Sequence, residues 1–178
     1  DYYEYILCRT IDGGLTQHQF SLAIYTSSTG SKQLYSAING KTYSVAYPFE
    51  LDKWYHVAFT AADGVIKLYV NSELIGTGSY TQSAATYKPN LTIGARSTNS
   101  DGSSHDYRFK GWLKDIRLWN IVRSQAEIQR DMHLTSLEGS EGLVGYWKLD
   151  DGQGTKISDY SGNNKHGTLQ GGKWVYYM

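Results

Sequence analysis

Most of the chain alternates apolar and polar residues, and this period of two is the pattern of half-buried β-strands. Runs such as QFSLAIYT, KQLYSAI, WYHVAFTA and VIKLYVN are rich in Tyr, Val, Ile, Phe and Trp. Short segments with Asn, Asp and Gly (NGK, ADG and NSE) separate the runs and favour tight hairpin turns. Many short strands at spacings of roughly 8–12 residues predict an all-β fold, either a sandwich or a jelly roll.

Length and charge narrow the classes of protein to consider. The 178 residues suit one domain, and 17 basic residues balance 17 acidic ones. Without a basic stripe, we expect no nucleic-acid partner. The single cysteine, Cys8, excludes an internal disulfide and is predicted to be a small core residue. No run of about 20 apolar residues occurs, so we expect no membrane span.

One helix is predicted near residues 124–134, within RSQAEIQRDMHL. Ser124 is followed three residues later by Glu127, the spacing of a capping box in which each side chain binds the other residue's free backbone N–H. Ile128 and Met132 are spaced i, i+4 and would form the buried face of this helix.

Two longer stretches resemble a known family. KWYHVAFTAADGVIKLYVNSELIG predicts a strand, a hairpin and a strand, and FKGWLKDIRLWNIVRSQAEI predicts a strand that leads into the capped helix. Together they resemble the laminin-G-like and pentraxin-like jelly rolls of the broader concanavalin A-like lectin/glucanase fold. The resemblance is good over residues 54–128 and loose elsewhere. It implies a curved sandwich of two antiparallel sheets.

The last part of the chain departs from the order of that family. The stretch GLVGYWKLDDGQGTKISDYSGNNKHGTL resembles the family's opening segment, whereas the chain begins with DYYEYILCRT, which looks like a second or third strand. Three explanations compete: a circularly permuted domain, strand exchange with an identical neighbour, and a piece cut from a longer tandem protein. We favour the first two, because an orphan apolar strand invites aggregation. We therefore expect residues 1–178 to form a single laminin-G-like domain, with residues 142–178 completing this sandwich or a neighbouring copy in a homo-oligomer or tandem array.

The residues argue against catalysis. Glycosidases use two carboxylates roughly 5–10 Å apart. The nearest match to the acidic motif of the related glucanases is FELDKW, which has Glu50 and Asp52 but no following Glu. Asp150 and Asp151 are adjacent, so they would point to opposite faces of a strand. We therefore predict that the protein is not an enzyme.

A long polar loop is the leading candidate for ligand binding. Loops longer than about 12 residues are often functional, although a solvated loop would have the same composition. The candidate residues in RSTNSDGSSHDYRF are Arg96, Asn99, Asp101, Asp106 and Tyr107.

A second polar loop, DYSGNNKHGT, suggests Ca²⁺ as a cofactor. Its Asp159, Asn163 and Asn164 carry oxygen atoms at close spacing, which suits Ca²⁺, but ion-free Asx turns have the same residues. The family resemblance implies that Asp115 joins the Asp159 loop in a structural calcium site. The predicted metal ligands are Asp115, Asp159 and Asn163.

Two functions remain open after this reasoning. The first is a non-catalytic carbohydrate- or glycan-binding module of a secreted or surface protein, with calcium as a candidate cofactor and a glycan or glycoprotein as partner. The second is a structural or adhesion module that assembles fibres, filaments or surface layers. Abundant tyrosine serves both functions, because Tyr offers a large contact area at low entropic cost.

Overall fold

The computed structural model describes residues 1–9, 19–81, 90–99 and 103–175. The chain divides into two compact units, residues 1–111 and residues 112–178. Both contain antiparallel strands, and the predicted all-β class is confirmed. The single domain expected over residues 1–178 stays a prediction. Within the described ranges, no helix has the length and apolarity needed to cross a membrane.

A five-stranded antiparallel sheet dominates the first unit, in the spatial order β4-β3-β2-β1-β8. Its strands are β1 (Tyr2–Arg9), β2 (Phe20–Thr26), β3 (Lys32–Ile38), β4 (Lys41–Ala46) and β8 (Thr92–Ile93). The first four are long because their residues alternate regularly between the two faces. β8 has only two residues, since Gly94 follows it and turns the chain with φ +78°.

A three-stranded sheet, β5-β6-β7, is the other layer of the first unit. Its strands are β5 (Val57–Ala62), β6 (Val65–Val70) and β7 (Glu73–Ser79), while β9 (Arg96–Ser97) and β10 (His105–Asp106) pair separately. Tyr43 of β4 lies directly against Gly76 and Gly78 of β7: a side chain at Gly78 would collide with the Tyr43 ring, and one at Gly76 with Val45 and the Tyr43 hydroxyl. This glycine-lined approach brings the two sheets together as a sandwich.

The hairpin turns have the chemistry expected from the sequence. The β3–β4 turn uses Asn39 (φ +48°) and Gly40 (φ +77°), and the β5–β6 turn uses Asp63 (φ +51°) and Gly64 (φ +78°). Two successive positive φ angles match the right-handed twist of paired strands. The two turns hold β3 and β4, and β5 and β6, in register.

The second unit contains β11 (Ile116–Trp119), the helix α1 (Gln125–Asp131), β12 (Leu143–Trp147), β13 (Lys156–Ile157) and β14 (Gly167–Thr168). β12 pairs antiparallel with β11, so the apolar strand of the tail has a partner within the chain. β11 begins later than the predicted run FKGWLKDIRLWN, because Asp115 takes a left-handed conformation (φ +56°) just before it.

The capping box of α1 is confirmed. The Ser124 side chain accepts a hydrogen bond from the Glu127 backbone N–H, and the Glu127 carboxylate accepts one from the Ser124 N–H. Ile128 is buried as predicted, whereas Met132 is only half-buried at the helix end. Cys8 is buried, which confirms its prediction as a core residue.

Candidate functional site

One face of the five-stranded sheet carries a cluster of tyrosines. Directly paired residues on neighbouring strands share a face, and the register pairs Tyr3 with Tyr25 and Ala23 with both Tyr5 and Tyr35. These side chains therefore lie on the face opposite the one that meets β7. We call Tyr3, Tyr5, Tyr25, Tyr35 and the adjoining Tyr107 the tyrosine face.

Tyr3 is the centre of this cluster. Its ring centroid lies 4.9 Å from that of Tyr25, 5.0 Å from Tyr35, 6.0 Å from Tyr5 and 5.9 Å from Tyr107. Two of these pairs, Tyr3 with Tyr35 and Tyr3 with Tyr107, are edge-on, a geometry that aromatic quadrupoles favour. The mutual contacts fix the ring positions and leave a preformed aromatic surface.

Burial changes across the tyrosine face. Tyr5 and Tyr35 expose only 3% and 7% of their surface, whereas Tyr107 exposes 36%. Burial raises the pKa of both Tyr5 and Tyr35 well above the ordinary value, so their hydroxyls stay protonated and neutral. The tyrosine face thus has a buried, uncharged part at Tyr5 and Tyr35 and an accessible part at Tyr107.

Arg96 and Asp106 form a two-pronged ion pair beside Tyr107. They are Cα partners in the β9–β10 pair, and Arg96 Nε lies 2.8 Å from Asp106 Oδ1 while Nη2 lies 2.5 Å from Oδ2. The Asp106 hydrogen bonds raise the pKa of Arg96 above its ordinary value. The Arg96 guanidinium also stacks over the Tyr107 ring, 4.5 Å from its centroid. The fixed pair places donors and acceptors beside the partly exposed Tyr107 ring.

The backbone explains how the polar loop reaches the tyrosines. The Tyr5 N–H donates to the Tyr107 carbonyl at 3.2 Å, and Tyr5 forms a parallel bridge with Arg108. Residues 105–109 therefore run alongside β1. Tyr107 itself takes a left-handed conformation (φ +44°), a local turn at the edge of the cluster.

Three of the five predicted ligand residues, Arg96, Asp106 and Tyr107, meet at this site. Asn99 shapes its own loop instead: its Oδ1 accepts from the Ser103 N–H at 3.0 Å and the Ser104 N–H at 3.3 Å. Asp101 lies outside the described residues.

The sequence reasoning missed the tyrosines of the sheet. Tyr3 and Tyr5 occupy alternate positions of β1, a pattern that already places them on one face. Tyr25 and Tyr35 join them only through the strand register, which the sequence pattern does not specify.

Asp159, a predicted calcium ligand, is engaged by protein donors. Its Oδ1 accepts from the N–H groups of Tyr146 and Ser161, both at 2.9 Å. Its Oδ2 accepts from Ser161 Oγ at 2.9 Å and the Lys165 N–H at 2.8 Å. Burial raises the pKa of the Asp159 carboxyl, but these hydrogen bonds outweigh burial and hold the pKa below its ordinary value.

The other predicted calcium ligands have separate roles. Asp115 accepts a hydrogen bond from the Tyr146 hydroxyl at 2.6 Å, and Asn163 Nδ2 donates to the Leu143 carbonyl at 2.8 Å. Asn163 thus turns a donor, not its oxygen, toward the strand. Nowhere in the described ranges do three or more His, Cys, Asp or Glu side chains gather as a metal would require.

These contacts do not fit Ca²⁺, which binds six to eight oxygen atoms through free lone pairs. Both oxygens of Asp159 already face hydrogen atoms of N–H and O–H groups. Calcium as a candidate cofactor stays a prediction for experiment, and no step of the proposed function uses the ion.

The acidic pair considered for catalysis lies in the segment before β5. Glu50 Oε1 pairs with Lys53 Nζ at 2.7 Å, and both side chains are more than half exposed. Asp52 adopts a turn conformation with φ +57°.

Comparison with known families agrees with this fold. Residues 5–129 match the model of the concanavalin A-like lectin/glucanases superfamily, which confirms the resemblance drawn from the sequence. Among curated proteins, pappalysin-1 of Mus musculus is 32% identical over 85 residues. Pappalysin-1 of Homo sapiens is 31% identical over 80 residues. These matches span 48% and 45% of this chain, but only 5% of each relative.

Two solved structures are similar over most of the chain. A candidate carbohydrate-binding protein from Bacteroides ovatus superposes with a TM-score of 0.68 at 25% identity, covering 93% of this chain and 50% of that one. A heptameric SAP-like pentraxin from Limulus polyphemus superposes with a TM-score of 0.55 at 21% identity, covering 73% of this chain and 63% of that one. The pentraxin likeness shows the fold alone.

Proposed function

The chain belongs to the concanavalin A-like lectin/glucanases superfamily, and from this premise we propose that it is a non-catalytic carbohydrate-binding module. We place the binding site at Tyr107 and the neighbouring part of the tyrosine face. The observation that carries the proposal is the position of the Arg96–Asp106 pair beside the exposed Tyr107 ring. The similarity to the Bacteroides ovatus protein supports the same function.

The chemistry of this site suits a sugar. A sugar ring has an apolar face of C–H groups and an edge of hydroxyls that both donate and accept hydrogen bonds. Tyr107 offers an aromatic surface for the first, while the Arg96 guanidinium and Asp106 carboxylate offer donors and acceptors for the second. Since the ion pair is formed before any ligand binds, little side-chain entropy remains to be lost on binding.

The charges favour a neutral sugar. The Asp106 carboxylate compensates the positive charge of Arg96, so the pair attracts neither anions nor cations strongly. Tyr5 and Tyr35 stay neutral because burial raises their pKa. We therefore expect neutral sugars to bind more tightly than sulfated or carboxylated ones.

The same contacts support binding without hydrolysis. A glycosidase needs one carboxylate as an acid and a second as a base or nucleophile. Asp106 is held by Arg96, and Glu50 is held by Lys53 in an exposed segment. Incubation with laminarin should release no reducing ends. Release that disappears in Glu50→Gln would overturn this part of the proposal.

Glycan-array binding followed by titration calorimetry tests the site. Tyr107→Ala should weaken the affinity for the tightest-binding glycan by tenfold or more, because it removes the exposed aromatic surface. Tyr160→Ala is a matched control, since Tyr160 is 38% exposed but is not part of the tyrosine face. Equal loss in both variants, or no glycan bound by the unaltered protein, would contradict the proposed site.

A structural or adhesion role is the second candidate, and a secreted or surface location is proposed for either function. Assembly by strand exchange would need the β12 strand to leave β11 of its own chain and pair with a copy. Sedimentation of the intact chain at rising concentration tests this: growth of an oligomer would favour assembly, whereas a constant monomer would favour the binding module.

A further inference from the structure

A row of side chains crosses the tyrosine face from strand to strand. The register pairs Tyr3 with Tyr25, Tyr25 with Gln33, and Gln33 with Ala46, so these residues of β1 to β4 point to the same side of the sheet. Tyr107 lies beyond Tyr3 at one end, with 5.9 Å between ring centroids. Tyr107, the exposed residue of the proposed site, therefore lies at one end of a continuous row of side chains.

This row is more accessible than the row beside it. Tyr3, Tyr25 and Gln33 are half-buried, and Ala46 is exposed. In the neighbouring row, Tyr5, Ala23 and Tyr35 are buried. The difference in burial leaves a track that runs across the strands rather than along one strand.

The track leads to an open groove at the far edge of the sheet. This groove, which we call the edge groove, has a volume of about 480 Å³ and is lined by residues 30–32 and 46–49. Its wall includes the aromatic residues Tyr47 and Phe49, whose ring centroids lie 4.8 Å apart. Ala46 belongs to both the row and the groove.

The length of the track decides what could cover it. Three strand spacings separate β1 from β4, or roughly 14 Å at about 4.8 Å each, and Tyr107 adds to this distance. One sugar ring covers only part of that length. A linear chain of sugars, in contrast, can contact Tyr107, the half-buried row and the edge groove together.

We propose that the site binds a linear, neutral oligosaccharide that crosses the strands from Tyr107 to the edge groove. This inference rests on the proposed function and adds the ligand class and a second subsite. Tyr47 and Phe49 supply aromatic surface in the second subsite, and the Ser31 hydroxyl and Lys32 supply polar groups near it. Gln33, whose Oε1 accepts from Ser44 Oγ at 2.6 Å, lies midway along the path.

The test uses neutral homo-oligosaccharides of glucose, mannose, galactose and xylose, from monosaccharide to hexasaccharide, titrated against the full chain. Affinity for the bound series should rise by about tenfold or more as the oligosaccharide lengthens, equal to about 1.4 kcal/mol. Ala46→Arg places a long side chain at the entrance of the edge groove and should remove this increment while leaving the shortest bound sugar unaffected.

Thr42→Arg is the matched control. Thr42 is also exposed on β4 and faces the same side, but lies four residues from Ala46, roughly 13 Å along the strand. Thr42→Arg should keep the full rise of affinity with oligosaccharide length. If affinity does not depend on length, or if Ala46→Arg equals Thr42→Arg, the second subsite is refuted while binding at Tyr107 stands. If no series binds, the proposed function itself fails.

Discussion

The Asp159 carboxylate offers the sharpest test of the contacts in the second unit. It receives four hydrogen bonds, three of them from backbone N–H groups of Tyr146, Ser161 and Lys165. Asp159→Asn converts one of the two carboxylate oxygens into an NH₂ group. Each oxygen accepts two of the four hydrogen bonds, so two are lost whichever oxygen is replaced, and at least one of them comes from a backbone N–H. A hydrogen bond to a charged group contributes about 1.5–3 kcal/mol, so the loss of two predicts a destabilisation of about 3 kcal/mol or more. That is a large part of the roughly 5–15 kcal/mol that stabilises a typical domain.

Urea denaturation followed by tryptophan fluorescence measures this change. Asp150→Asn is the control, because Asp150 is exposed and close in sequence, and the substitution removes the same charge. A surface change of this kind alters stability by about 0.5 kcal/mol or less. Equal midpoints for the two variants would refute the structural role of Asp159. If chelation with EDTA lowers the midpoint of the unaltered protein and has no effect on Asp159→Asn, the carboxylate binds calcium and the fit argued above is wrong.

The pH dependence of Asp159 has a defined sign. Its pKa is lower in the folded protein than in the unfolded chain, where it is about 3.9. The stabilisation is therefore fully present above about pH 4 and is lost as the pH falls through the folded-state value. Below about pH 4, the free energy of unfolding of the unaltered protein should therefore fall more steeply with decreasing pH than that of Asp159→Asn, which lacks this carboxyl group.

Three further predictions concern the fold. Ser124→Ala should lower the free energy of unfolding by about 0.5–2 kcal/mol through loss of the helix cap, and an unchanged denaturation midpoint would contradict the capping box. Gly78→Val should lower the free energy of unfolding by about 1–3 kcal/mol or more, since a Cβ there lies 2.5 Å from the Tyr43 ring. Gly30→Val is the comparison: the positive φ of Gly30 is strained for Val but the space around it is open, so this variant shows the effect of backbone strain without crowding. Deleting residues 142–178 removes the strand that pairs with β11, so gel filtration should show aggregation, and a soluble, cooperatively folding monomer would contradict the role given to the tail.

The sequence predicted the long strands well, because their hairpins have local signals. β3 and β4 alternate regularly and join through Asn39-Gly40, a dipeptide that favours the observed turn. The bounds of β11 were less predictable, since Asp115 leaves the strand conformation at a residue whose neighbours still have an apolar pattern. A single left-handed residue has little effect on periodicity but ends a strand.

The two candidate sites show where sequence reasoning stops. Composition alone placed Asp159 and Asn163 equally well in a calcium site or in an ion-free turn. The direction of each hydrogen bond distinguishes the two, because Asn163 donates its amide to the Leu143 carbonyl and Asp159 receives backbone N–H groups. Such directions depend on the folded backbone and leave no trace in residue spacing.

For the tyrosine face, the loop residues could be predicted from the sequence and the sheet residues could not. Arg96, Asp106 and Tyr107 stand out as polar or aromatic side chains in a long loop. They form a site only because β1 brings Tyr3 beneath Tyr107, and because Tyr25 pairs with Tyr3 across the sheet. A slip of one residue in that pairing would turn Tyr25 to the opposite face. The proposed ligand site therefore depends on strand register as directly as the fold does, and substitutions that alter the hairpin turns should affect binding at this site even where they lie far from it.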